Sequence, residues 1–61
     1  MSITKASPLS GKVHTLEIDI TSDQYMKWRS GELIQNVMPN LTDYEREFLI
    51  TGLLKEEFDA L

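Results

Sequence analysis

Residues 12–20, Lys-Val-His-Thr-Leu-Glu-Ile-Asp-Ile, alternate apolar and polar positions with the two-residue period of a half-buried strand. Leu16, Ile18 and Ile20 fall on one face, with His14 at its edge, and Thr15, Glu17 and Asp19 fall on the other. From Thr21 the period lengthens to that of helices. A hydroxyl of Thr21 or Ser22 is placed to cap the first helical N–H groups, and Asp23 sits where the helix dipole favours an anion. Tyr25, Met26, Trp28 and Arg29 follow, and Ser30-Gly31 supplies a break or a kink. A second run, Glu32 to Val37, carries Leu33, Ile34 and Val37 at helical spacing and stops at Met38-Pro39-Asn40. Thr42-Asp43-Tyr44-Glu45 has the form of a capping box and opens a third helix, which runs through Phe48 and Leu49 to Thr51 and stops at Gly52. Lys55 to Ala60 forms a last turn or two anchored by Phe58, and Met26 and Met38 read as core filler.

The segment before the strand has no period. Ser7-Pro8-Leu9-Ser10-Gly11 is a loop signature, so residues 1–11 are expected to be a flexible N-terminal arm and residues 12–61 a single small domain. The expected fold class is α+β: one N-terminal strand followed by two or three short helices. A lone strand cannot satisfy its backbone groups. Either the arm folds back across the Pro-Ser-Gly turn or the strand pairs with its copy in another subunit. The small size of the chain favours the second, because a 61-residue domain has a thin core and oligomerisation is a common remedy.

Composition narrows the chemistry. Without cysteine there are no disulfides, thiolate zinc sites or cysteine nucleophiles, and with His14 as the only histidine a zinc site would need an unusual all-carboxylate remainder. The three glycines, at 11, 31 and 52, are too far apart for a phosphate-binding loop. No cofactor, no catalytic residue and no enzymatic activity are expected. No apolar run approaches a membrane span, and the N-terminus lacks the apolar stretch of a signal peptide, which points to a cytoplasmic protein. Charge is unevenly spread. Residues 1–30 hold four cations against three carboxylates, a surplus of one positive charge; residues 31–61 hold two cations against seven, a surplus of five negative charges. Such a half repels nucleic acid and suits a basic protein surface, or simply a solvated face.

Three groups of residues are candidates for binding. Trp28 and Arg29, beside Tyr25, are of the types that anchor interfaces or stack on a base, although Trp28 can equally serve as the core plug. Gln35 and Asn36, with Glu32, lie on the polar side of the second helix. Glu45, Arg46 and Glu47 lie on the third. Arg46 can pair with Asp43 one turn away, or reach across a subunit boundary to grip carboxylate or phosphate.

The string Trp28-x-x-Gly31-x-x-Ile34-Gln35-x-x-Met38-Pro39-Asn40-Leu41-Thr42-x-x-Glu45-Arg46-Glu47-Phe48-x-x-Thr51-Gly52 resembles a group of small proteins of tailed bacteriophages. The resemblance covers residues 13–59. Met38 stands where that group has an aromatic, Phe58 where it ends on tryptophan, and Leu54-Lys55 where it starts its last helix with Thr-Pro. It implies a phage origin and action in the cytoplasm of an infected bacterial host. The function expected on that basis is binding, with inhibition of a host factor first. The alternatives are an oligomeric sponge for a nucleotide or other phosphate-bearing signal, and a small virion component. The partners expected are a further copy of the chain and either a host protein or a small phosphate-bearing ligand.

Overall fold

The computed structural model describes residues 1–61. Two strands, β1 (Ser2–Ala6) and β2 (Val13–Glu17), form an antiparallel hairpin in which Ile3 faces Leu16, Thr4 faces Thr15 and Lys5 faces His14. Four helices follow: α1 (Ser22–Arg29), α2 (Ile34–Val37), α3 (Asp43–Thr51) and α4 (Lys55–Asp59). The architecture is α+β with the strands at the N-terminus. No helix is long and apolar enough to cross a membrane.

Two expectations are corrected by the hairpin. Residues 1–11 are not a flexible arm, since residues 2–6 are β1, and one edge of the expected strand is paired by this chain's own N-terminus. The turn that makes this possible is built on Ser7, which is almost fully buried. Its N–H donates to the Lys12 carbonyl at 2.9 Å and its carbonyl accepts from Gly11 at 2.9 Å. Its hydroxyl accepts from the N–H groups of Leu9 (3.1 Å) and Ser10 (3.3 Å), the local pattern by which serine substitutes for backbone partners in turns. At the other end the ladder continues past β1, where Ile18 N–H donates to the Met1 carbonyl at 2.8 Å and the Met1 ammonium donates to the Ile18 carbonyl at 2.7 Å.

The core lies between the hairpin and the helices. Ile18, Ile20, Met38, Leu41 and Leu49 are buried together, with Leu16, Tyr25, Trp28, Ile34 and Val37 partly buried around them. Phe48 is fully buried and meets His14 edge-on at 6.0 Å between ring centroids. Tyr44 tilts against both Phe48 and Phe58 and so joins α3 to α4. Met38 is core as expected, but Met26 is not: it is 68% exposed on the solvent side of α1.

Helix ends follow local chemistry closely. Thr21 and Gln24 form a capping box at α1, and Thr42 and Glu45 form the expected one at α3, with Glu45 N–H to Thr42 Oγ1 at 3.1 Å and Thr42 N–H to Glu45 Oε1 at 2.9 Å. Gly31 breaks the chain after α1, and α2 ends before Pro39 as expected. Gly52 closes α3 in the left-handed region, at φ 86°. A side chain there would also collide, because a Cβ would lie 2.7 Å from the Ala6 carbonyl oxygen. That close approach lets α3 lie beside β1. Lys5 Nζ then donates to the Leu49 carbonyl at 2.8 Å, placing a cation at the negative end of the α3 dipole. A fourth helix exceeds the two or three expected. Leu54 has no capping side chain, yet Glu57 takes its N–H at 2.9 Å and supports α4 from within.

Candidate functional site

The residues singled out in the sequence fall on three separate helices. On α1, Trp28 is half-buried against the core and meets Tyr25 edge-on, with centroids 5.8 Å apart. The Arg29 guanidinium lies over the Trp28 ring at 5.6 Å and has no carboxylate partner. Gln24 Nε2 donates to the Val37 carbonyl at 3.0 Å and ties α1 to the end of α2. On α2, Gln35 and Asn36 are exposed.

On α3 the three candidates have different roles. Glu45 is committed to the capping box. Arg46 donates to the Asp43 carboxylate at 2.8 Å and reaches the Met38 carbonyl at 3.4 Å, so its guanidinium is held against its own chain. Glu47 makes no side-chain hydrogen bond or ion pair and is free for a partner.

The electrostatics of the acidic half follow from these pairings. Its two cations are both paired within their own helices: Arg46 with Asp43, and Lys55 with Asp59 at 2.6 Å. Five carboxylates, Glu32, Glu45, Glu47, Glu56 and Glu57, are left without a counter-charge in that half. Exposed surface pairs of this kind contribute little to stability. Their effect here is to leave no free cation of that half among the acids of α3 and α4, although Lys12 of the hairpin turn acts on Glu57. Asp43, Glu47 and Ile50 follow one another at helical spacing along α3, and Ile50 is 52% exposed, so the acidic face carries an apolar anchor.

Ser7 and Glu57 were not anticipated. The Ser7 hydroxyl donates to Glu57 Oε1 at 2.5 Å and joins the hairpin turn to α4 across fifty positions of chain. This hydrogen bond, with that from the Leu54 N–H, holds the Glu57 carboxyl below its ordinary value. Ser7-Pro8 marked a turn in the sequence, but nothing local to it pointed to a partner on the last helix.

The surface holds no cleft or cavity of ligand size, and no three His, Asp or Glu side chains converge as a cation site would require. No family model, curated protein or solved structure matches the chain.

Proposed function

We propose that this chain is a non-catalytic binding protein that docks its acidic α3–α4 surface on a basic patch of another protein. The supporting observation is that both cations of this half are consumed inside their own helices, which leaves Glu47 and Glu56 without a counter-charge and Ile50 exposed one turn from Glu47. A surface without pockets and rich in one charge is suited to steering and docking on a protein rather than to enclosing a substrate. Following the resemblance to small phage proteins, the partner is a host factor in an infected bacterium, and docking inhibits it.

Glu47 and Glu56 are the residues to test, because neither side chain makes a hydrogen bond or ion pair within the chain. Reversing them as E47K and E56K changes the face without touching a cap. Partner capture from a bacterial lysate should fall by an order of magnitude or more in the double variant and on raising salt. Capture that is equal for both proteins at all salt concentrations would refute the reading.

A second reading rests on Arg29, whose unpaired guanidinium on the Trp28 ring could grip the phosphate of a small nucleotide-like ligand at an interface between copies. A ligand bound only to the folded state raises the melting temperature. A nucleotide that does so for the native chain but not for R29A would establish this reading in place of the first, and a flat response across a nucleotide panel would dismiss it.

A further inference from the structure

The hairpin is covered on one side and open on the other. On the β1 side, α3 lies alongside, with Gly52 against the Ala6 carbonyl and Lys5 on the Leu49 carbonyl. No helix flanks β2 in this way, and β1 is its principal neighbour.

The ladder itself shows which backbone groups are left over. Hydrogen bonds between Ile18 and Met1 and between Ser7 and Lys12 fix the register at both ends. In an antiparallel pair the bonded positions alternate, so His14 and Leu16 bond to β1 while the N–H and C=O groups of Val13, Thr15 and Glu17 point outward. All three residues are exposed, Val13 at 72%. The edge carries no proline, bulge or lysine, the usual guards against strand addition, and Glu17 is its single charge.

We infer that the outer edge of β2 pairs antiparallel with β2 of a second copy, joining two hairpins into a four-stranded sheet about a two-fold axis. The sequence of the edge is self-complementary in one register. With Thr15 opposite Thr15 on the axis, Val13 faces Glu17 of the second copy twice over, and His14 faces Leu16. No like charges meet. The central pair is a hydrogen-bonded one, in which the two Thr15 residues exchange their outward N–H and C=O groups, while each Thr15 hydroxyl keeps its 2.7 Å contact with Thr4 of its own chain. Setting Glu17 against Glu17 takes a slip of four residues and is disfavoured by repulsion. A second copy also suits a chain in which only ten of 61 residues are buried. This inference is independent of the acidic face, which lies on other elements.

The test is the molar mass of the full chain in solution across a concentration series, by light scattering or sedimentation. The native chain should dimerise. T15P removes an outward N–H and leaves the internal ladder of β1 and β2 intact, so it should be folded by circular dichroism and monomeric. Val13 reads the register with opposite signs: V13K, facing Glu17 of the second copy, should tighten the dimer, and V13E should weaken it, each by roughly two- to tenfold. A native chain that is monomeric at its highest soluble concentration would overturn the inference. So would a dimer that survives T15P, or V13K and V13E shifts of the same sign.

Discussion

Gly52 is the residue on which the packing of the two halves turns. Its backbone is left-handed, and a Cβ would press on the Ala6 carbonyl at 2.7 Å and on Lys5 Cβ at 3.0 Å. Gly52→Ala should therefore lose roughly 2–4 kcal/mol, the left-handed penalty plus displacement of β1. Gly11 has φ 73° with open space around it, and Gly11→Ala should lose only about 1–2 kcal/mol. Urea midpoints of the two variants give the comparison, and equal losses would show that the approach to β1 is not what Gly52 serves. The stop at Gly52 was legible in the sequence because a helix end is local. Its contact with Ala6 was not, because nothing nearby in the chain announces a neighbour 46 positions away.

Glu57 gives a second residue-scale prediction. Its carboxyl is held below the ordinary glutamate value of 4.5, chiefly by the Ser7 hydroxyl and then by the Leu54 N–H. A carboxyl with a lowered folded value adds stability that is fully present above the ordinary value and is lost as pH falls through the folded one. Urea midpoints of the native chain should fall more steeply below pH 4.5 than those of Glu57→Gln or Ser7→Ala. Parallel curves would mean that the latch between hairpin and α4 contributes nothing.

At the scale of elements, the helices were readable and the first strand was not. The capping box at Thr42, the proline stop after Met38 and the glycine stop at Gly52 each depend on residues within a few positions of one another. β1 alternates in the folded chain, but Ser2-Ile3-Thr4-Lys5-Ala6 has one large apolar side chain, and Lys5 points inward because the end of α3 needs a cation. Arg46 shows the same limit, since its use on the Met38 carbonyl depends on the chain returning past Pro39. The hairpin makes a prediction for hydrogen exchange. The amides of Ile3, Lys5, His14 and Leu16 should be protected at every concentration, while Val13, Thr15 and Glu17 should gain protection only as the chain self-associates. Rapid exchange at Ile3 and Lys5 would return residues 1–11 to a flexible arm.

At the scale of the whole molecule, the fold separates two kinds of surface. The hairpin offers an open strand edge, and α3 and α4 carry the free carboxylates, with Ile50 exposed one turn from Glu47. The uneven charge was visible in the sequence. Which acids are free was not, because Glu45 and Glu57 support helix starts and Asp43 and Asp59 pair with cations, leaving Glu47 and Glu56 unengaged. Docking through that face is the central claim. Native mass spectrometry of the chain isolated gently from bacterial cells tests it most directly. The predicted result is a complex with a host polypeptide that is lost in E47K/E56K, while a chain carrying only a small non-peptide mass, or a polypeptide retained by both proteins alike, would contradict it.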